Sequence, residues 1–280
     1  MPTEVKDLTR KEYEAFRKLV YEKSGINLGD EKMQLVRARL GKRLRQRGLP
    51  SYGAYYNTVL NDPTGEELCS LLDAISTNTT HLFREENHFD LLRKIIANWV
   101  ADPTRRPSRD TLRIWSAGCS SGEEPHSIAM LAHDALKGHP GIELKILASD
   151  LSVQMLSRAK LGLYEPHRVG TVPDPLKRRY FTQVQHDGKT ALQIVPELRR
   201  CITFARFNLM APTFPFKHGF DVIFCRNVMI YFDKPTQEGL IKRFATQLHD
   251  GGYLMIGHSE SLNGVDHPLD YVEPTVYRKS

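Results

Sequence analysis

Residues 115–125, Trp-Ser-Ala-Gly-Cys-Ser-Ser-Gly-Glu-Glu-Pro, constrain the fold of this chain more than any other stretch. A strand-like Leu112–Trp115 runs straight into small residues, and a helix-like Ser127–Leu136 follows. That order builds a loop at a helix N-terminus, where Gly118, Ser120 and Gly122 let main chain come close to a bound molecule. Glu123 and Glu124 put negative charge where a phosphate would otherwise sit, which disfavours a pyrophosphate and with it a nicotinamide dehydrogenase. A cationic ligand fits better, and S-adenosylmethionine is nucleotide-like and carries a sulfonium and an ammonium. Alone, a Gly-x-Ser-x-Gly loop is a weak signal, because a tight strand-to-helix turn that binds nothing needs the same small residues.

The next segment strengthens the ligand reading. Leu144–Ala148 reads as a second buried strand that ends at Asp150 before a helix-like Val153–Leu161. An acid at the end of the second strand is where nucleotide-binding sheets grip ribose hydroxyls. Strands and helices then alternate to the end of the chain, with later strands at Ile202–Phe207, Phe220–Cys225, Tyr253–Ile256 and Tyr271–Arg278. Such alternation predicts a parallel-rich α/β sheet of Rossmann-like type. The pattern breaks between Tyr164 and Arg200. There, residues 180–184 and 190–195 flank His186-Asp187-Gly188-Lys189, a hairpin signal that predicts an inserted antiparallel β-subdomain over about 164–200. Asn208-Leu209 follows the third sheet strand and Arg226-Asn227 the fourth, so both pairs are expected at the carboxyl edge of the sheet, where ligands bind. Either asparagine can hydrogen-bond a ligand with its amide or close an Asx turn. Tyr231 is placed to face the same site or to pack in the core.

Residues 1–88 show helical periodicity and almost no strand signal, which predicts a small all-helical N-terminal domain ahead of an α/β domain over 89–280. A chain of 280 residues with 40% hydrophobic content can bury both cores. No apolar run is long enough to span a membrane, and Met1–Arg10 lacks the core of a signal peptide, so a cytoplasmic protein without membrane insertion is expected. Cys69, Cys119, Cys201 and Cys225 have neither metal-ligand nor disulfide-framework spacing. His81 and His88 have no third ligand at metal spacing, so both are read as structural and no metal is expected.

The net charge of +6 is concentrated in residues 1–50, where 13 Lys or Arg face 7 Asp or Glu. Most of it lies on Lys32–Arg47, which holds seven cations and no acid, while Met33, Val36, Leu40 and Leu44 recur at helical spacing. One face can pack while the other is either a solvated surface or a dock for an acidic partner. Upstream of the sheet, Ser76–Phe89 is rich in side-chain donors and holds a single cation, Arg84. It can close over a ligand, although an arginine followed by Glu85 and Glu86 can also form a surface ion pair.

Five blocks in order, Thr77–Glu85, Trp115–Met130, Ala148–Tyr164, Phe207–Met210 and Phe220–Phe232, closely resemble the chemotaxis receptor methyltransferase family over nearly the whole chain. The resemblance implies transfer of methyl from S-adenosylmethionine to glutamate side chains on the helical cytoplasmic bundle of chemoreceptors, giving methyl esters and S-adenosylhomocysteine. It places cofactor contacts on Asn78, Thr80, Arg84, Glu124, Asp150, Asn208, Leu209, Arg226 and Asn227, beside Gly118 of the loop. Arg84, Arg226 and Tyr231 match positions that line the methyl-transfer pocket, and the adjacent Glu123 leaves the acidic contact open by one position. Some members carry a glycine-rich loop in the inserted hairpin, associated with gripping a C-terminal pentapeptide tether of the receptor. Here residues 183–189 hold one glycine, so recognition of the bundle without such a tether is expected. A glutamate is ionised at neutral pH, so no general base is required. The rival readings are a methyltransferase acting on RNA or another substrate, which would use the basic helix for phosphates, and a non-catalytic sensor of the cofactor. An aromatic stacking platform is missing for the first, and Arg84, Asp150 and Tyr231 are all present against the second.

Overall fold

The computed structural model describes residues 7–76, 79–102 and 110–280. Four helices form the N-terminal domain: α1 (Arg10–Ser24), α2 (Met33–Arg47), α3 (Tyr52–Asn61) and α4 (Glu66–Ile75). Helix α1 starts at a capping box, in which the Thr9 hydroxyl accepts from the Glu12 N–H and the Glu12 carboxylate takes the Thr9 N–H. It stops at Gly25, whose φ of 73° closes the last turn. On α2, Val36, Leu40 and Leu44 recur every fourth residue and are all fully buried against Tyr13, Phe16, Val20, Tyr55 and Leu71.

A seven-stranded sheet forms the second domain. Its strands are β1 (Thr111–Ala117), β2 (Glu143–Asp150), β6 (Ile202–Arg206), β7 (Phe220–Cys225), β8 (Leu248–Ile256), β9 (Asp270–Glu273) and β10 (Val276–Arg278), in spatial order β6-β2-β1-β7-β8-β10-β9. The first five are parallel to one another, and β10 pairs antiparallel with both β8 and β9. Strand β7 is buried at all six residues, as a central strand covered on both faces must be. One face packs on α5 (Glu86–Ala101) and α6 (Glu123–Ala135) through Phe89, Leu92, Ile96 and Ile128. The other holds an aromatic cluster in which Trp115 sits with ring centroids 4.9–5.4 Å from Phe214, Phe216, Phe220 and Phe244. Leu82 and Phe83 also pack in the first of these cores, so the chain enters the sheet domain before α5 begins.

The expected inserted subdomain is a separate antiparallel sheet of β3 (Leu163–Tyr164), β4 (Phe181–His186) and β5 (Lys189–Ile194) in order β3-β5-β4. His186 pairs with Lys189 across Asp187 and Gly188, whose φ angles of 48° and 71° suit a two-residue hairpin turn. Two expectations differ from the fold. The single strand over Tyr271–Arg278 is a hairpin, because Pro274 has no N–H to donate and Thr275 takes φ 66°, reversing the chain. The helix expected from Ser127 starts at Glu123, so both acids lie in its first turn, where the dipole favours them. Among the described residues no helix is long and apolar enough to cross a membrane.

Candidate active site

The sheet order reverses direction between β1 and β7, and a cleft opens at the carboxyl ends of the strands there. Gly118, Cys119 and Ser120 line it after β1, Asp150 after β2, Asn208 and Leu209 after β6, and Arg226, Asn227 and Tyr231 after β7. Glu124 enters from the first turn of α6. Thr79, Thr80, His81 and Arg84 come from the segment joining the domains, and Ser24 and Ile26 from the turn after α1. Ten of the eleven residues singled out in the sequence thus share one cleft. The eleventh, Asn78, lies outside the described residues.

The turn after β1 depends on its glycine. Gly118 has φ 89°, and a Cβ on it would lie 2.5 Å from the Val228 side chain, so only glycine lets the β1 and β7 loops approach. Asp150 ties this turn to the end of β2, since its carboxylate accepts from the N–H groups of Ser120 and Ser152, both at 2.8 Å. Burial pushes the Asp150 carboxyl above the usual carboxylate range, with Asp73 adding to the effect and the two N–H bonds opposing it. The buried Ser120 hydroxyl has no hydrogen-bond partner in the fold, so a polar group aimed at the cleft is left to a ligand.

Arg226 is the charged hub. Its side chain is 2% exposed; its guanidinium donates to Glu85 at 3.1–3.2 Å, lies 3.5 Å from Glu124, and bonds the Arg84 carbonyl. Ser116 donates to Glu124 at 2.7 Å, yet burial still pulls the Glu124 carboxyl above its ordinary range. Glu123 faces the other way: Ser121 donates to it at 2.7 Å and Arg168, from the inserted region, at 2.5 Å. Of the two adjacent acids, Glu124 lines the cleft and Glu123 does not.

Arg84 does not form the tight pair with Glu85 that adjacency suggests. Their closest approach is 4.0 Å, and Arg84 donates to the Thr79 carbonyl at 2.9 Å. Burial alone would raise the Glu85 carboxyl, but Arg226, the His258 N–H and the nearby imidazoles outweigh it and hold it below its ordinary value. Sequence reasoning missed Glu85, because its φ of 60° and its distant partner Arg226 leave no local pattern. It missed Ser24 and Ile26 too, since nothing in a helix-terminating turn marks it as part of a site some hundred residues away.

His88 gains neighbours the sequence could not supply. Glu85, His88 and His258 bring ligand-type atoms within 4.8 Å of one another, and His258 lies 170 residues further along the chain. Arg226 already occupies the Glu85 oxygen that faces both rings, so a divalent cation there would work against a guanidinium. Asn208 lines the cleft with part of its amide engaged elsewhere. It donates to the Lys23 carbonyl at 2.7 Å and accepts from the Met210 N–H at 2.9 Å, the Asx turn that was its alternative reading. That bond joins the domains, as do the Asn27 N–H on the Tyr231 carbonyl at 2.8 Å and the Tyr21 hydroxyl on Asp233 at 2.8 Å.

Much of the basic charge of α2 is tied within the domain, although Arg37 and Arg47 stay exposed. Arg43 and Arg47 pair with the buried Glu67, Arg39 donates to carbonyls at the end of α4, and Arg37 pairs with Asp7 at 2.6 Å. Lys32, Lys42 and Arg45 remain exposed on the surface without those ties.

Residues 11–76 match the family described as CheR methyltransferase, all-alpha domain, and residues 78–278 match CheR methyltransferase, SAM binding domain. A chemotaxis protein methyltransferase of Borreliella burgdorferi is 38% identical over 275 residues, covering 98% of this chain and 96% of that one. Chemotaxis protein methyltransferase 2 of Pseudomonas aeruginosa is 39% identical over 269 residues, covering 96% and 93%. The chemotaxis protein methyltransferase of Escherichia coli is 36% identical over 278 residues, covering 99% and 94%.

Proposed function

The chain belongs to the CheR methyltransferase family and is an S-adenosylmethionine-dependent methyltransferase of chemotaxis; on that premise we propose that its acceptor is a glutamate side-chain carboxylate on the cytoplasmic helical bundle of a chemoreceptor. The observation that supports the cofactor half of this reading is the excess of acid around the cleft, while the acceptor half rests on the family match and on Arg84, a half-buried guanidinium lining the cleft. Arg226 is shared between Glu85 and Glu124, and Asp150 has no cation of its own among its hydrogen-bond partners. An acid-rich cleft suits a ligand that brings a sulfonium and an ammonium.

Bound S-adenosylmethionine supplies an electrophilic methyl carbon on sulfur, which an ionised carboxylate can attack in line without a general base. Asp150 is placed to hold ribose hydroxyls, Gly118 to let main chain approach, and Glu124 and the Ser120 hydroxyl to meet polar and cationic groups. Thr80, Asn78, Asn227 and Leu209 complete the proposed cofactor contacts. Asn208 then ties the domains with one amide N–H and closes an Asx turn with its oxygen, which leaves its second N–H to meet the cofactor. Arg226 is already neutralised by two carboxylates, so its part is to orient rather than to pair with the acceptor. That is favourable, because a guanidinium that neutralised the acceptor fully would stabilise the ground state. Arg84, whose side chain is 34% exposed, and Tyr231 are the groups assigned to meet the incoming carboxylate. Alignment of the two reactants accounts for up to roughly 7–11 kcal/mol of barrier lowering.

Receptor docking is assigned to the exposed cations of α2, Lys32, Lys42 and Arg45, acting from the cytoplasm on acidic receptor helices. The hairpin turn with its single glycine, Gly188, supports recognition without a C-terminal tether. Calorimetry with S-adenosylhomocysteine tests the cleft. Binding to the wild type, with loss of at least tenfold in affinity for Asp150→Ala, is the expected result; equal affinity in the variant would remove Asp150 from the site.

A further inference from the structure

The geometry points to Glu260 as a positioning residue for methyl transfer, one that sets the turn carrying Arg226, Asn227 and Tyr231. This rests on the reading of the cleft given above. Glu260 follows β8 and is 8% exposed, and its carboxylate meets three main-chain donors from two loops. The N–H groups of Asn227, at 3.0 Å, and Gly257, at 2.6 Å, donate to one oxygen, and that of Ile230, at 3.2 Å, to the other. No cation among the described residues lies within ion-pair distance of it, so N–H dipoles alone compensate its charge. Burial raises its carboxyl above the ordinary range against the opposing pull of these donors.

The turn needs such an anchor. Asn227 takes φ 59°, a left-handed conformation that asparagine tolerates better than most side chains but that still needs surrounding contacts to hold it, and a single 3-10 turn, Met229–Tyr231, follows. Backbone donors that converge in this way form a concave anion site, and here the protein fills it with its own carboxylate. Gly257 presses from the other side: a Cβ there would lie 2.5 Å from the Asn227 amide nitrogen and 2.8 Å from its main-chain nitrogen. Glu260 therefore holds the β7 loop at a fixed distance from the β8 loop, while Val228 of the same turn rests on Gly118. Displacing this turn moves the Arg226 guanidinium, Tyr231 and the wall against the β1 loop together. Glu260 touches neither reactant, so it acts through the residues it fixes.

Glu260→Gln keeps the shape but turns one acceptor into an NH2 group that faces an N–H. In the full-length variant, measured well below its melting temperature, kcat for methyl transfer should fall and the dissociation constant for S-adenosylhomocysteine should rise, each by about 10- to 100-fold, as expected for a misplacement on the order of 1 Å. The KM for receptor-containing membranes should stay within about twofold. Gly257→Ala, which leaves the carboxylate and disturbs Asn227, should give the same pattern and carries the test if Glu260→Gln does not fold. Wild-type kcat and cofactor-product affinity in a folded variant of either kind would overturn the assignment. Failure of both to fold would also overturn it, by making Glu260 a support of the fold and not of the site. A wild type that binds no S-adenosylhomocysteine would instead defeat the reading of the cleft.

Discussion

Two clusters of arginine and carboxylate, one in each domain, are built from the same side chains and balanced in opposite directions. In the helical domain a single carboxylate, Glu67, is 4% exposed and lies between two arginines, Arg43 and Arg47, one turn apart on α2. Burial alone would raise the Glu67 carboxyl, but the bonds and charge of the two arginines outweigh it and hold it down. At the cleft a single arginine, Arg226, is shared by two carboxylates, and the more distant of them, Glu124, stays raised. The first cluster is complete within the fold and serves packing. The second is short of positive charge and opens onto a cavity, which leaves a ligand to complete it. A buried ion pair alone is a weak sign of function. Its charge balance and its open side separate the two cases.

If Glu67 is purely structural, Glu67→Ala should destabilise the protein by about 1.5–3 kcal/mol, the loss of charge-assisted hydrogen bonds to arginines that can still reach water. Denaturant unfolding reads that loss, and cofactor-product affinity of the folded fraction should stay at the wild-type value; a weakened affinity would erase the distinction between the clusters. The converse holds for Arg226→Ala, which leaves Glu85 and Glu124 without their shared cation. Turnover should drop by roughly 10²- to 10³-fold, as for loss of a preorganised charged donor. A variant that kept most of its activity would show that the hub only supports the fold.

The acid excess also predicts a pH dependence whose sign is fixed. Burial raises the carboxyls of Glu124 and Asp150, so in the free protein both take up protons at a pH above the ordinary carboxylate range. A cation prefers their ionised forms, so affinity for S-adenosylmethionine should fall as pH drops into that window, by at most about tenfold per unit for each proton taken up. S-adenosylhomocysteine lacks the sulfonium charge and should show a shallower fall in parallel titrations. Identical slopes would mean that the acids do not sense the charge on sulfur. The smallest effect concerns the surface. Exposed pairs contribute roughly 0.2–1 kcal/mol each, so Lys32, Lys42 and Arg45 should make receptor KM rise several-fold between low and high salt while cofactor affinity barely changes. Equal losses in both would take docking away from α2.

The sequence was most readable where one strand or turn is decided by its own residues. Strand β7 and helix α7 (Val153–Leu161) match their expected limits, because an unbroken apolar run and a Ser152 cap next to a closing Gly162 leave little choice. Four loops at one sheet edge follow from the alternation of elements, and eight of the ten expected residues meet there as a consequence, while Thr80 and Arg84 come from the segment joining the domains. What stayed hidden depends on partners far along the chain. Glu85 gains its role from Arg226, Asn208 ties one amide N–H to Lys23, and several cations of α2 that looked free are claimed by Glu67 and by carbonyls of α4. Residue type set what each group is able to do, and only the tertiary contacts determined which option it took. The C-terminal hairpin is the opposite case: Pro274-Thr275 marks the break locally, within a run expected as one strand.

The most direct test is transfer of labelled methyl from S-adenosylmethionine to chemoreceptor-containing membranes, followed by base treatment and collection of volatile methanol, with wild type beside Asp150→Ala. Label on the receptor that is released as methanol, and is lost in the variant, is the predicted result, because a glutamate methyl ester hydrolyses in base. Label that resists base, or a receptor left unlabelled by a protein that binds the cofactor, would contradict carboxyl methylation by this cleft.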